Sequence, residues 1–487
     1  MSSPPTTKKP SSSPTSTAAP IVVALLTSGR IAPSFGPAVG GFLRRYQDLV
    51  LGDAQAAQTT PQQGIKFIVY RHGYRGLLTG DTVEVKAEDF AASEVFSKNG
   101  GSPAGASRTR LSNVPHLLKR GFIKEGDDPH ELAAQQLMKD NVRVLHVIGS
   151  ASAQFTASRL SALLNGKYHY PLHHVGLAKT IENDMSPIRM TLGALTAAEE
   201  GAKFFENVVA EHNSNPRMLI IHEIKGRAAG WLAAATAREY RKRLDHRNFA
   251  SSFGQAREVL EVHAVYTPEM HIDFPSEIGR LRRCMDRHDN VNIFVAQGTL
   301  LSVIEAELAA EQGGDVARHP AFGYPIIDTA AWFAKKLKDG IGAEKVLIQR
   351  SGVYVRAAPA NNADRMLTTS CVNYAVDLVV SHVIEGRPIT GSTSSASSSR
   401  AAQSTKSNVL RGVVGHDDRF DGQLRLVEVE PLMRKWPFDV AVPWFVELLA
   451  AIGQPQESAG HLRKRREIEG KQQRTTSATK SSVKSRL

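Results

Sequence analysis

The sequence predicts an α/β protein whose mostly parallel strands alternate with helices, in a chain large enough for two lobes. Short runs of apolar, β-branched residues recur along the chain, and helical patterns separate them. Several of these runs end in a turn that contains glycine, which is typical of a buried parallel strand that delivers a loop to the carboxyl edge of its sheet. The chain has 487 residues, of which 41% are hydrophobic and 22% charged, ordinary values for a globular protein.

The first elements already suggest a phosphate-binding arrangement. Residues 1–20 are rich in Ser, Thr and Pro, and we predict a disordered arm there. The run Ile21–Thr27 predicts a first buried strand, a turn with Gly29 follows, and a helix is expected from about Gly36 to Tyr46. Strand, glycine turn and helix in this order offer backbone N–H groups to a phosphate.

Further strands and loops follow in order along the chain. Six more strands are predicted: Ile65–Tyr70, Val142–Ile148, His174–Leu177, Met218–Glu223, Val262–Val265 and Asn292–Ala296. A Gly/Ser loop that begins at Gly100 ends in the cation Arg108. Residues 391–408 are of low complexity, which predicts a flexible insertion, and a closing helical segment is expected between Trp436 and Ile452.

Charge and cysteine content exclude several classes of protein. The net charge is +12, but residues 457–487 carry nine Lys or Arg against three Glu, so half of it lies in a tail, residues 456–487, that we predict to be basic and disordered. The globular part is therefore only mildly basic, which favours a small anionic ligand over nucleic acid. Two distant cysteines, Cys284 and Cys371, argue against a disulfide framework or zinc site. No run of 18 apolar residues exists, so no membrane partner is expected.

The segment from Val142 to Met185 carries the clearest chemical signal. Its first half ends in Gly149-Ser150-Ala151-Ser152, and its second half ends in a loop that contains Lys179 and three residues from Glu182 to Asp184. A cation beside carboxylates suits a phosphate and a hydroxyl that is to be deprotonated. Two such loops at one sheet edge indicate phosphoryl-transfer machinery.

Several ordered stretches give this signal a family. They include T-S-G-R-I-A-P-S-F-G-P-A-V-G-G from Thr27, A-K-T-I-E-N-D from Ala178 and P-R-M-L-I-I-H-E-I-K-G-R from Pro216. The chain resembles the phosphofructokinase family, in particular its pyrophosphate-dependent branch. The resemblance implies two Rossmann-like lobes with the active-site cleft between them, here a donor-binding lobe at 21–190 and a sugar-phosphate-binding lobe with return segments at 191–455. It also implies an oligomer that uses Mg²⁺ in glycolysis to transfer a phosphoryl group from pyrophosphate or ATP to fructose 6-phosphate.

The resemblance assigns roles to individual residues. It implies catalytic roles for Lys179 and Glu182. The implied sugar-phosphate ligands are Thr180, Asp184, Arg217, Gly226, Arg227, Gln297 and Arg356. The implied donor-phosphate ligands are Gly29, Arg108, Gly149 and Lys179.

The sequence departs from the family pattern where the transfer takes place. Ala151 replaces the metal-binding carboxylate of the family's G-G-D-D loop, and Ser152 replaces the Asp that excludes ATP in pyrophosphate enzymes. A methyl group cannot coordinate Mg²⁺, so no metal ligand is intact there. Glu182 replaces the general-base Asp and reaches one carbon further, and a misplacement of ~1 Å can cost ~10²-fold in rate. Three other positions also differ: Arg30 replaces a Gly, Lys225 a Met and Gln297 a Glu.

These departures favour a pseudoenzyme over an active transferase. We predict a homologue that still binds fructose 6-phosphate, has weak or no activity, and acts as a regulatory or oligomerising paralogue, alone or with an active paralogue. The alternative is an active Mg²⁺-dependent phosphotransferase that uses pyrophosphate or ATP. The basic run at 463–466 is typical of a solvated segment, so nucleic acid is not expected as a partner.

The last three residues predict a location. Ser485-Arg486-Leu487 is a close variant of the S-K-L signal that directs proteins to peroxisomes. A sugar-phosphate family suits a peroxisome-like organelle with glycolytic steps, such as a glycosome. The cytoplasm is the alternative.

Overall fold

The computed structural model describes residues 19–51, 64–91, 93–253, 255–320, 323–388, 409–434 and 437–455. The predicted insertion at 391–408, the tail at 456–487 with its terminal signal, and all but the last two residues of the predicted arm lie outside these ranges. Those expectations therefore stay predictions.

The described strands form two sheets. Their bounds are β1 Ile21–Thr27, β2 Ile65–Tyr70, β3 Thr82–Glu84, β4 Val142–Gly149, β5 His173–Ala178, β6 Met218–Ile224, β7 Ala264–Tyr266, β8 Asn290–Ala296, β9 Lys345–Arg350, β10 Arg411–Asp417 and β11 Gln423–Val427. The first sheet has the order β11-β10-β5-β4-β1-β2-β3, and the second has the order β7-β8-β6-β9. Only the edge strands β3 and β11 are antiparallel to their neighbours.

The helices cover both faces of each sheet. Their bounds are α1 Phe35–Leu51, α2 Tyr74–Thr79, α3 Ala87–Ala91, α4 Ser93–Lys98, α5 Val114–Lys119, α6 Pro129–Lys139, α7 Ala151–Lys167, α8 Ala194–Val208, α9 Trp231–Asp245, α10 Arg257–Leu260, α11 Phe274–His288, α12 Leu301–Gln312, α13 Thr329–Ile341, α14 Tyr354–Ala357, α15 Asn362–Val379, α16 Val429–Leu432 and α17 Pro443–Ala451. On β1, Val23 and Leu25 pack towards α1 and α15, whereas Ala24 and Leu26 pack towards α6 and α7. Burial on both faces explains why the strand is apolar at every position.

The second sheet is sandwiched in the same way. Ile220 and Phe294 pack with α8, α9 and α17 on one face, and Ile221 and Ile293 pack with α11 and α13 on the other. The predicted two-lobe α/β fold is thus confirmed.

The structure adjusts several predicted elements. The strand expected at Val262–Val265 is found at Ala264–Tyr266, and the closing helix begins only at Pro443, a residue that suits the first turn of a helix. Strands β10 and β11 join the first sheet through the parallel pairing of β10 with β5. The first lobe therefore includes residues from both ends of the described chain.

One helix has the length and composition of a membrane span. It runs over Asn362–Ile384, combining α15 with a π-helical turn, and its apolar window has a mean hydropathy of 1.3. Its residues Cys371, Val372 and Ala375 are buried in the hydrophobic core between the first sheet and α1. The packing identifies it as a core helix of the first lobe.

Candidate active site

A cleft of about 300 Å³ lies where the carboxyl edges of the two sheets face each other. The loops after β1, β4 and β5 line it from the first lobe, and these three strands are neighbours in their sheet. The loops after β6 and β8, also neighbours, line it from the second lobe. Open parallel sheets bind ligands at this edge, so the topology itself creates the site.

The side of the cleft that would hold the phosphoryl donor is built from loops of the first lobe whose backbones lie close to Lys179 and to each other. Gly29 has φ 100°, and a Cβ there would lie 3.4 Å from the Nζ of Lys179. Its N–H donates to the carbonyl of Ser107 at 2.8 Å, which brings the loop that carries Arg108 to the same edge. The first turn of α7 adds the hydroxyls of Ser150 and Ser152, which are 3.3 Å apart. A phosphate-sized ligand would thus meet a cation, hydroxyls and a helix N-terminus together.

Lys179 is a buried cation at the centre of the cleft. Its side chain is 5% exposed, its Nζ donates to the carbonyl of Arg30 at 2.9 Å, and it lies 4.6 Å from the ring centre of Phe35. Burial lowers the pKa of Lys179 to about 8, although the carboxylates of Asp184 and Glu182 act in the opposite direction. The ammonium group is therefore still mostly charged near neutral pH.

Glu182 is the acidic residue that lines the same cleft. Burial, followed by the charge of Asp184, raises the pKa of Glu182 to about 7, while Lys225 and Arg227 oppose the shift. Burial also raises the pKa of Asp184, against a hydrogen bond from Thr180. A carboxylate whose pKa is raised by burial and by a neighbouring carboxylate is a stronger base, suited to accept a proton from a hydroxyl.

The second lobe contributes a hydrogen-bonded pair and closely packed loops. The Nζ of Lys225 donates to Oε1 of Gln297 at 3.2 Å. A Cβ on Gly298 would lie 2.0 Å from the carbonyl oxygen of Arg227, so only glycine fits between these loops. The N–H of Gly298 donates to the carbonyl of Gly226 at 2.9 Å, which fixes the two loops to each other.

Two arginines complete this side of the cleft. The guanidinium of Arg227 lies 3.4 Å from the ring centre of Tyr324, a stacking geometry that orients it. Arg356, on α14, is 8% exposed. Burial, followed by repulsion from Arg30, lowers the pKa of Arg356, and Glu182 opposes the shift. Such mutual repulsion between cations is relieved when an anion binds between them.

Most of the predicted site residues come together in this cleft. Eight of them line it: Gly29, Arg108, Lys179, Thr180, Glu182, Arg227, Gln297 and Arg356. Gly149, Gly226 and Asp184 lie directly behind the lining, in the loops that hold it. Arg217 is not brought to this cleft, because it precedes β6 at the opposite edge of the second sheet. Its side chain there donates to Asp286 at 2.8 Å and to the carbonyl of Gly342 at 2.6 Å, so it does not belong to the cleft of this chain.

The structure also adds residues that the sequence did not suggest. Arg110 lines the cleft two positions after Arg108, a spacing that could have indicated it. Tyr324 stacks on Arg227 and accepts a hydrogen bond from Arg108, yet no strand or motif precedes it. No local signal could have identified this tyrosine.

The donor set does not suit Mg²⁺. Ala151 is at the position where the family resemblance expects a carboxylate, and its methyl group packs against an apolar cluster with Ile188 and Val413. Within the described ranges, no group of three or more His, Cys, Asp or Glu side chains is arranged to hold a metal ion. Mg²⁺ at phosphate sites is usually held by one or two carboxylates together with the phosphates of the ligand, and with a methyl group at the family's ligand position the residues present fit it poorly.

Comparisons with known proteins place the sequence and the two-lobe fold in one family. The family model for phosphofructokinase matches residues 54–379. A pyrophosphate–fructose 6-phosphate 1-phosphotransferase from Methylotuvimicrobium alcaliphilum is 42% identical over 438 residues, 89% of this chain and 97% of that relative. One from Mastigamoeba balamuthi is 41% identical over 437 residues, 89% of this chain and 96% of the relative. The crystal structure of a pyrophosphate-dependent phosphofructokinase from Marinobacter aquaeolei shares the fold with a TM-score of 0.58 at 15% identity, covering 90% of this chain and 92% of that one.

Proposed function

The chain belongs to the phosphofructokinase family, and on that premise we propose that its cleft binds fructose 6-phosphate and pyrophosphate but transfers the phosphoryl group weakly or not at all. One observation carries the proposal. Seven Lys or Arg side chains line the cleft among the described residues, whereas a methyl group occupies the position of the family's metal-binding carboxylate. The chain would then act in glycolysis as a regulatory or oligomerising paralogue.

The charge balance supports the binding part of the proposal. The cationic side chains are Arg30, Arg108, Arg110, Lys179, Lys225, Arg227 and Arg356, and Glu182 is the one acidic residue in the lining. Two phosphorylated ligands, one at each sheet edge, would neutralise this charge. The relatives named for the same two substrates share about two-fifths of their residues with this chain.

The metal position supports the weak transfer. A bridging metal ion contributes several kcal/mol of transition-state stabilisation in phosphoryl transfer. With Ala151 at the family's ligand position, the cleft retains the cations that orient phosphates but lacks the carboxylate that would hold the ion there. The longer side chain of Glu182 also shifts the base relative to the Asp of the family pattern.

An active phosphotransferase is the second candidate. The observation in its favour is that the pKa of Glu182 is raised to about 7 in the same cleft as Lys179, an arrangement suited to deprotonating a sugar hydroxyl. In that case the protein would make fructose 1,6-bisphosphate with pyrophosphate or, since Ser152 is small, with ATP.

Calorimetry and a coupled assay distinguish the two candidates. Fructose 6-phosphate should bind to the purified protein, and Arg227→Gln should weaken binding about tenfold or more, because charge-assisted hydrogen bonds contribute about 1.5–3 kcal/mol each. Turnover with pyrophosphate or ATP should stay near background in both directions. Absence of any heat or thermal shift with the sugar phosphate would remove the binding proposal, and rapid turnover would establish the active enzyme instead.

We also propose that the protein works as an oligomer, alone or with an active paralogue. Val353 and Tyr354, next to the cleft, are 71% and 48% exposed, and Met366 on α15 is 73% exposed. Large apolar side chains at such exposure suit a protein–protein contact. Light scattering on the purified chain should give a mass above that of one chain, and a strictly monomeric mass that persists with a co-expressed paralogue would exclude the oligomer.

A further inference from the structure

The balance of charge in the cleft bears on the form in which its phosphate ligand binds. Seven cations and one acidic residue line it within the described part of the chain. Mg²⁺ bound to a phosphate ligand keeps several waters and is usually held by one or two protein carboxylates, and it also cancels part of the ligand's negative charge. The described lining thus offers a metal-bound ligand a single carboxylate, that of Glu182, and has the excess of positive charge that suits a metal-free anion.

We propose that this cleft binds pyrophosphate as the free anion, and that Mg²⁺ competes with binding instead of assisting it. The inference rests on the proposed function, because it takes the donor side of the cleft as a pyrophosphate site. It goes further, because it assigns to one arginine and one lysine, Arg30 and Lys225, the positive charge that a metal ion would otherwise supply.

Arg30 is the first of these side chains. It occupies the loop after β1, and its carbonyl oxygen accepts the hydrogen bond from Lys179 at 2.9 Å, so its backbone is fixed beside the buried ammonium group. Its charge reaches Arg108, Lys225 and Arg356, each of which it repels. Arg30 is exposed in the lining of the cleft, so its guanidinium can reach an anion bound there.

Lys225 is the second of the two side chains that supply this charge. It extends from the loop after β6 into the cleft from the opposite lobe, where its Nζ is held by Gln297 at 3.2 Å. Glu223 and Glu182 are the acidic groups that attract it, and Arg356 and Arg30 are the cations that repel it. The two side chains approach from different lobes, so together they can contact a diphosphate from two sides, as a bridging ion would.

The helix that would hold the metal contributes neutral groups only. Ser150 and Ser152 present hydroxyls to the cleft, and Ala151 turns its methyl group to the apolar cluster behind. Hydroxyls and a helix N-terminus bind phosphate oxygens well, but they are poor substitutes for carboxylates as ligands of a divalent ion. A ligand already saturated with Mg²⁺ would therefore lose contacts with the arginines and gain no carboxylate contact from this helix.

Calorimetry with methylenediphosphonate, an analogue of pyrophosphate that cannot be hydrolysed across its bridge, tests the inference without any turnover. The analogue is titrated in EDTA and in excess Mg²⁺ at matched ionic strength. We expect affinity about tenfold tighter in EDTA, a difference of roughly one charge-assisted contact. Binding that appears or tightens only with Mg²⁺ would overturn this inference and leave the proposed function intact. Absence of binding in both buffers would overturn the proposed function itself.

Two variants and a control connect the result to the residues. Arg30→Gln should lose about tenfold in affinity in EDTA and little in Mg²⁺, whereas Arg44→Gln, an exposed position on α1 away from the cleft, should match the wild type. The double variant Ala151→Asp, Ser152→Asp restores the carboxylates of the family pattern in the first turn of α7, where acidic residues are tolerated, and should reverse the preference towards Mg²⁺. Melting temperatures establish that each variant is folded. Equal behaviour of Arg30→Gln and Arg44→Gln would contradict the role given to Arg30.

Discussion

At the scale of single residues, Lys179 determines how the cleft responds to pH. Its pKa is lowered to about 8 by burial, so its positive charge is present below that pH and is lost as the pH rises through it. Affinity for methylenediphosphonate should therefore fall above pH 8, by up to about tenfold per pH unit if only the charged form binds. In Lys179→Met this dependence should be absent. Because ionisation of the analogue affects both proteins equally, the difference between their curves isolates the lysine, and parallel curves would contradict the assignment.

Tyr324 is the residue that couples the two sides of the cleft. Its ring stacks on Arg227, and Arg108 donates a hydrogen bond to it. Tyr324→Phe should keep the stacking and lose only that hydrogen bond, so that diphosphonate affinity falls roughly three- to tenfold while fructose 6-phosphate affinity is unchanged. Tyr324→Ala should weaken both ligands. Calorimetric titrations of each ligand measure this, and equal losses in the two variants would argue against separate contacts.

Several of the residues that the sequence identified come directly after a strand. Lys179 and Glu182 follow β5, and Gly29 follows β1, so a correct strand prediction placed them at the sheet edge. Tyr324 could not be predicted, because its position depends on a loop that packs across the cleft. Arg217 lies at the edge opposite the cleft because it comes before its strand instead of after it.

At the scale of elements, Asp364 joins the two lobes. It is fully buried on α15, and its carboxylate accepts hydrogen bonds from the N–H of Gly193 at 3.0 Å and from the N–H and hydroxyl of Thr196 at 2.7 and 2.6 Å. These donors belong to the start of α8, whose other residues pack in the hydrophobic core on one face of the second sheet. The carboxylate thereby caps one lobe's helix from a helix of the other.

Replacing this carboxylate should lower the free energy of unfolding. Asp364→Ala leaves several buried donors without an acceptor and should cost roughly 2–4 kcal/mol, and Asp364→Asn, which keeps one acceptor oxygen, should cost less. Asp377→Ala is the control on the same helix, since Asp377 is 56% exposed in its ion pair with Arg45 and should contribute below about 1 kcal/mol. Urea denaturation measures all three. A cost for Asp364→Ala no greater than that of the control would show that the contact is not structural.

The sequence pattern predicted strands well where both faces of the strand are buried and its residues are therefore apolar. It did not predict the partners of β10, because the pairing of β10 with β5 joins segments more than 200 residues apart, and local composition carries no information on such partners. Strand β9 escaped prediction for a related reason. Its residues are partly exposed, with Lys345 and Arg350 at its ends, so the apolar run is short.

At the scale of the whole molecule, the site is a product of topology. Two parallel sheets turn their carboxyl edges towards each other, and the loops from both edges supply the cations of one cleft. The family resemblance implied this arrangement, whereas the pattern of the residues alone indicated only alternating strands and helices. Neither could establish whether transfer survives, since that depends on a few atoms at the start of α7.

We propose above all that this cleft still binds its phosphorylated ligands, and that the replacement of two carboxylates by Ala151 and Ser152 has removed efficient phosphoryl transfer. The most direct test is turnover of fructose 6-phosphate with pyrophosphate and, separately, ATP, in Mg²⁺, for the wild type and for the double variant Ala151→Asp, Ser152→Asp. We predict near-background rates for the wild type with either donor and a clear gain for the double variant with pyrophosphate. Wild-type turnover in the usual range of enzymes, about 1–10³ s⁻¹, without a gain in the variant, would contradict the claim.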